Sequence, residues 1–252
     1  MILGTRVKFL AVIILFVILS AAEAGAGDPN LVAWWNCDNA ADNNIVTDSS
    51  GNGYDGNSVR DTCDMHVDGK IGGALTFDGT DYITITGTPI WTSLQGGEVT
   101  INLWFKSVTI GRIFGFGDFY WDDDEDIAGT IGFNDDAETV EFTSDWANND
   151  HLYTDWVMLT ITLKQTDASH FTLNVYFDGE LDKFSGQQNG VLANIDSATE
   201  YIGGGNPPAY YNGSLDDVRV YDKALSQGEI DSLYEEGFLK QKQLQYFRRR
   251  TE

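Results

Sequence analysis

Basic residues are scarce: 15 Lys and Arg stand against 39 Asp and Glu, a formal charge of −24. A surface of that sign repels nucleic acid and anionic lipid, so neither is an expected partner. Otherwise the acidity is read as a solubility feature. Histidine and cysteine are also few. His66, His151 and His170 with Cys37 and Cys63 make no metal-thiolate spacing pattern. There is no G-x-S-x-G elbow, no H-E-x-x-H and no phosphate loop. Gly203-Gly204-Gly205 lacks the Lys-Ser/Thr that a phosphate loop needs and is expected to make a turn.

Only one long apolar run exists, Phe9 to Ala22. Arg6 and Lys8 precede it, and Ala22-Glu23-Ala24 is a small-x-small cleavage pattern, so residues 1–24 are read as a secretory signal peptide. The run falls short of the ~20 residues of a comfortable membrane span; an uncleaved N-terminal anchor is the alternative. No later segment suits a bilayer, so no membrane span is expected after cleavage. The expected location is secreted, extracellular or at the cell surface. Cleavage leaves roughly 228 residues with 13 basic against 38 acidic, a net −25. That length suits a single all-β unit. In an exported chain the even cysteine count favours a Cys37–Cys63 disulfide; two separate buried thiols are the alternative.

Proline is nearly missing too, with 4 residues against 27 glycines. What fills the chain is period-two alternation. Val99, Ile101, Leu103 and Phe105 alternate with Thr100, Asn102, Trp104 and Lys106. Ile83 and Ile85 alternate with Tyr82, Thr84 and Thr86. Val157, Leu159, Ile161 and Leu163 repeat the pattern, as do Phe171, Leu173, Val175 and Phe177. Alternation puts one face inward and leaves the other wet or packed on something else. Asp68-Gly69, Asp78-Gly79 and Asp178-Gly179 supply the positive φ of tight turns. The fold class is therefore all-β, with many short strands.

One short C-terminal helix is expected. Ser226 and Glu229 form a capping-box pattern, Ile230, Leu233 and Tyr234 share a face, and Gly237 is a plausible stop. The domain is placed at 25–237. The tail, 238–252, changes sign through Lys240, Lys242, Arg248, Arg249 and Arg250, and is read as a solvated arm.

Six segments in order carry a resemblance. They are Trp34-Trp35-Asn36-Cys37-Asp38; Asp48 to Gly56; Gly69 to Gly79; Val99 to Phe105; Val175 to Gly179; and Asn212 to Tyr221. Together they resemble the laminin-G-like, concanavalin A-like lectin/glucanase family in its exported bacterial form, from about Leu31 to Gly237. The resemblance implies a jelly-roll sandwich of two antiparallel sheets, which the alternation fits. The histidine that the family often has after the Trp of one strand is Val157 here, so no role is assigned there.

Calcium-binding members of the family pair a Gly/Asn/Ser loop with an acid near the first strand and an acid pair near the last. Carried over, this nominates Asp38, Asn52 and Asp216, with Asp48 and Asp217 as weaker candidates for a structural calcium. The ion takes six to eight oxygens, so backbone carbonyls complete the set. The competing readings are a turn cap for Asp48 and, for Asp217, a pairing with Arg219 or a hydrogen bond to backbone at a sheet corner.

Glucanases of this fold carry Glu-x-Asp-x-(x)-Glu on one strand, with two carboxylates flanking the bond. No such string occurs here, and the run Asp122 to Asp126 is expected at a solvated hairpin tip. No catalytic residue is assigned and the chain is not read as an enzyme. A binding module for carbohydrate or an extracellular protein, acting in adhesion, is the expected function. The alternatives are a hydrolase with an unusual carboxylate pair and a purely structural spacer. Aromatic rings stack on sugar faces, which nominates Tyr210 and Tyr211 in the "NPPAYYNG" loop, then Trp121, Tyr120, Trp146 and Trp104. Core packing is the competing reading for each.

Overall fold

A computed structural model describes residues 27–85, 90, 97–109, 111–116, 119–123, 128–133, 138–143, 155–182, 186–192, 199–205 and 210–251. The expected leader lies outside the described residues. In chain order the strands are β1 (Leu31–Trp35), β2 (Ile45–Val46), β3 (Gly56–Ser58), β4 (His66–Asp68), β5 (Gly73–Asp78), β6 (Ile83–Ile85), β7 (Glu98–Thr109) and β8 (Gly111–Phe116). Then come β9 (Phe119–Asp123), β10 (Ala128–Phe133), β11 (Glu138–Thr143), β12 (Val157–Gln165), β13 (His170–Phe177), β14 (Glu180–Leu181), β15 (Gly186–Asn189), β16 (Glu200–Ile202) and β17 (Asn212–Tyr221). The helices α1 (Thr62–Met65) and α2 (Gln227–Thr251) accompany them.

The described strands form two antiparallel sheets. The larger runs β14-β13-β12-β7-β17-β5-β4, with β1 on β17 and β15 on β13; the smaller runs β11-β10-β9-β8-β16-β6-β3-β2. The first strand lies against the last, with Leu31 opposite Tyr221 and Trp35 opposite Val218. The chain ends of the sandwich are thereby tied together by backbone hydrogen bonds.

The alternating strands make the core. Trp35, Leu75, Phe77, Ile83, Val99, Ile101, Leu103, Phe105, Phe114, Phe116, Leu159, Ile161, Val218 and Val220 are buried between the sheets. Each such side chain contributes roughly 1.5–3 kcal/mol over exposure. Asp178 and Gly179 both adopt positive φ, at 51° and 86°. They close a two-residue hairpin in which Phe177 faces Glu180, the geometry that an Asp-Gly pair favours.

The other face of the larger sheet is not wet. Trp104, Met158, Tyr176 and Tyr221 pack there with Leu225 and Ile230, and Leu233 and Tyr234 of α2 join them. Glu229 accepts hydrogen bonds from the Ser226 backbone N–H and hydroxyl, at 2.9 and 2.7 Å. That is the carboxylate half of the expected capping box.

Gly237 does not stop α2, which continues to Thr251. The glycine serves packing instead. A Cβ there would stand 2.5 Å from Cζ2 of Trp104, so only a bare backbone lets the helix seat on the indole. The segment expected as a solvated arm has helical backbone through Thr251. Among the described residues no helix is long and apolar enough to cross a membrane.

Candidate functional site

The outward face of the smaller sheet carries a tyrosine cluster. In β16 Tyr201 lies between buried Glu200 and Ile202, and in β6 Thr84 lies between buried Ile83 and Ile85. Alternation therefore turns Tyr201 and Thr84 away from the core. Asn57, Thr84, Tyr201 and Gly115 are in register on the adjacent strands β3, β6, β16 and β8. Tyr82, two residues before Thr84, meets Tyr201 edge-on at 5.8 Å and 71°. Its ring also stacks on Tyr210 at 6.1 Å and 25°.

All three tyrosines are half-buried. Among the described residues their hydroxyls have no hydrogen-bond partner. The Asn57 side-chain amide beside them is likewise without a partner among the described residues. Among the described residues the Thr84 hydroxyl reaches only the Asn57 carbonyl, at 3.3 Å. Half-covered rings beside free hydroxyl and amide groups can stack on a sugar ring and hydrogen-bond its edge.

Of the aromatics nominated from sequence, Tyr210 joins this cluster. Tyr211, its neighbour, does not. It is fully buried, tilts against Phe77 at 6.0 Å and hydrogen-bonds Ser107 at 3.1 Å, so it belongs to the core. Trp104 is corrected in the same way. Its ring stacks on Tyr234 at 5.7 Å, the Lys70 ammonium lies 4.4 Å from its centre, and 1% of it is exposed. For Tyr120 and Trp121 the structure describes the backbone of β9, where Tyr120 pairs with Gly115. Trp146 and residues 124–126 of the acidic run lie outside the described residues, while Asp122 and Asp123, expected at a hairpin tip, lie in strand β9. Tyr82 and Tyr201 were not singled out, although both sit on the polar side of an alternating segment.

The acids expected to share one cation separate into two groups. Asp48 is saturated by its own loop and by β1: it accepts from the N–H of Trp34, Ser50, Gly53 and Tyr54 and from the Ser50 hydroxyl. Burial works against its ionisation, yet these donors hold its carboxyl below the ordinary range. The Asn52 amide donates to the carbonyls of Leu31 and Val32 at 3.0 and 2.9 Å. Both residues therefore clasp β1, and Asn52 sits at its start. Asp38 and Asp216 lie past its other end, with β1 itself spanning about 13 Å.

Asp216 and Asp217 sit at a bulge. Asp216 is opposite Trp104 while Arg219 is opposite Asn102, one residue more on β17 than on β7. Asp217 takes φ 54°, which sends the two carboxylates apart. Asp217 turns to the Trp34 indole N–H at 2.6 Å and to buried Arg219 at 2.8 Å. Arg219 reaches on to Glu236 of α2 at 3.2 Å. Asp217 is therefore committed to an ion pair, and the competing reading of that residue holds.

Asp216 faces the turn between β4 and β5. Its Oδ2 accepts from Ile71 N–H at 2.8 Å. Its Oδ1 is buried and has no partner among the described residues. Burial first, then Asp217 and Asp38, push its carboxyl well above the ordinary range. Asp38 accepts from Gly73 N–H at 2.6 Å, and a Cβ on Gly72 would meet Asp38 Oδ1 at 2.3 Å. Among the described residues no group of three or more His, Cys, Asp or Glu side chains is arranged to hold a metal. What fits a hard cation is a buried, uncompensated carboxylate oxygen next to a second acid and a glycine turn.

The expected disulfide is corrected. Cys37 is buried and Cys63 exposed, and both thiols are free. The even count carried no information on distance.

The family model of the concanavalin A-like lectin/glucanases superfamily matches residues 77–231, well over half the chain. No curated protein matches. Among solved structures, domain 4 of AbnA, a GH43 extracellular arabinanase from Geobacillus stearothermophilus in complex with arabinotriose, is 19% identical with a TM-score of 0.57, covering 81% of this chain and 98% of that one. A botulinum neurotoxin type C structure concerned with interaction with two ganglioside molecules is 17% identical with a TM-score of 0.58, over 82% of this chain and 51% of that one. The binding domain of Paraclostridial Mosquitocidal Protein 1 is 14% identical with a TM-score of 0.55, over 81% and 52%. This chain thus spans about half the length of the two toxin structures. At these identities the likeness is one of fold.

Proposed function

The chain belongs to the concanavalin A-like lectin/glucanase superfamily, and from that premise we propose that it is an exported, non-catalytic carbohydrate-binding module. The single observation that carries this reading is the cluster of Tyr82, Tyr201 and Tyr210. Their half-covered rings, and hydroxyls without a partner among the described residues, lie beside Asn57 and Thr84 on the outward face of the smaller sheet. Rings give a sugar its stacking surface, and the amide and hydroxyls give it orientation. The arabinotriose-bound arabinanase domain and the ganglioside-related toxin structure support the choice of carbohydrate.

A structural calcium belongs to the same reading. Asp38 and Asp216 would hold it, with backbone carbonyls completing the oxygen shell. The ion would supply the counter-charge that buried Asp216 Oδ1 is missing. Asp48, Asn52 and Asp217 have other partners and are not assigned to it. The leader pattern supports export to the extracellular space or cell surface.

A glycan array probed with the full chain, with and without EDTA, tests the function. Saturable binding to one family of glycans is expected. Binding to none of them would rule the reading out.

A further inference from the structure

Building on the carbohydrate reading above, we propose that the tyrosine site takes the end of a glycan chain rather than its interior. The argument is the shape of the register row that runs across the strands. Asn57, Thr84 and Tyr201 lie on neighbouring strands, about 4.8 Å apart. The row therefore offers about 10 Å of half-exposed polar and aromatic surface, room for roughly one or two sugar rings. The next position is Gly115 on β8. A glycine there would be an open channel if nothing covered it.

It is covered. Gly115 is buried. A Cβ built on it would meet the Gly204 carbonyl oxygen and Gly205 Cα at 3.5 Å and the Arg112 side chain at 3.6 Å. The segment after β16 thus folds back over β8. It is fixed there by hydrogen bonds from Gly203 N–H to the Ile113 carbonyl at 2.8 Å and from Tyr211 N–H to the Gly203 carbonyl at 3.2 Å. Gly205 is packed against Arg112 as well, since a Cβ on it would fall 2.4 Å from Arg112 Cδ. The path along the row stops at Tyr201.

The rings repeat the message. Tyr82 and Tyr201 meet at 71°, and Tyr210 backs Tyr82. Three coplanar rings would make a flat strip for a crystalline polysaccharide. Two rings at a steep angle make a corner, which a single terminal ring enters with one face on Tyr201. The rest of the chain then leaves over Thr84 and Asn57.

The test is calorimetric titration of the full chain with linear glucan, xylan, mannan and arabinan, each as the dimer, the hexamer and a long-chain fraction. For the series that binds, one protein per carbohydrate chain is expected at every length, with equal affinity per chain for the hexamer and the long fraction. Tyr201→Ala is expected to weaken binding about tenfold or more while leaving the melting temperature unchanged. A number of proteins per chain that rises with length would overturn chain-end recognition and leave the carbohydrate reading standing. Undiminished affinity of Tyr201→Ala would also overturn it. Failure of every series to bind would overturn both.

Discussion

Gly237 rests on the indole of Trp104, so close that a Cβ would fall 2.5 Å from the ring. This contact decides how α2 lies on the larger sheet, and it sets two general effects against each other. Inside a helix, Gly→Ala normally gains up to about 1 kcal/mol from backbone entropy. Here the methyl group has to displace a buried ring that Tyr234 and Lys70 also hold, and overpacking costs about 1–3 kcal/mol. Gly237→Ala is therefore expected to destabilise the protein, as read by the urea midpoint. A gain in stability would mean that the helix is not seated on Trp104.

Calcium should raise the melting temperature by about 5 °C or more at concentrations well above its dissociation constant, because it binds only the folded chain. EDTA should remove the gain. Asp216→Asn should abolish most of it, since Oδ1 of Asp216 is a buried carboxylate oxygen with no partner among the described residues. Asp48→Asn should lower stability in both conditions alike, because Asp48 is held by its own loop and by β1. Melting curves that do not respond to EDTA would remove calcium from the account.

The N-terminus of α2 should respond to acid. The Lys223 ammonium, then the Ser226 N–H and hydroxyl, lower the Glu229 carboxyl to about 2 from the ordinary 4.5. A depressed carboxyl contributes stability that is present above its unfolded value and lost as pH falls toward its folded one. That contribution should therefore fade between about pH 4.5 and pH 2. Glu229 is partly exposed, so Glu229→Gln should cost about 1 kcal/mol at neutral pH. The gap between wild type and variant should close over that acid window when melting is followed by circular dichroism.

The two thiols should differ in reactivity. Cys63 is exposed and Cys37 buried. Burial and the nearby Asp216 and Asp217 also push the Cys37 thiol well above its usual range, which removes the reactive thiolate. Iodoacetamide should label one site in the native protein and two after denaturation without reductant, mapped by peptide mass. A denatured, unreduced chain with no free thiol would restore the disulfide.

Much of the architecture was legible because the strands alternate cleanly. Val99–Phe105, Ile83–Ile85, Val157–Leu163 and Phe171–Phe177 all lie in strands, and every second residue of each, from its first to its last, packs in the core between the sheets. What periodicity could not supply was the covering of the second face. Trp104 and Asn102 alternate with core residues, which left their face either wet or packed on something else; α2 lies over it. Gly237 looked like a helix stop because a glycine's packing partner is invisible in one dimension.

The site was legible in part for the same reason. Tyr210 and Tyr211 are adjacent, and one faces the cluster while the other fills the core; only the register of the surrounding chain decides which. Tyr201 lies in the three-residue strand β16 and Tyr82 just ahead of the three-residue strand β6, segments too short to stand out, although each tyrosine neighbours an isoleucine. The acids were grouped by family pattern, whereas the length of β1 keeps Asn52 away from Asp216.

A crystal structure of the full chain with the oligosaccharide that binds best tests the central claim most directly. A terminal sugar ring lying on Tyr201, with its edge toward Tyr82 and its chain leaving past Thr84 and Asn57, is the predicted result. Sugar density on the α2 side of the larger sheet, or anywhere clear of Tyr82, Tyr201 and Tyr210, would contradict it.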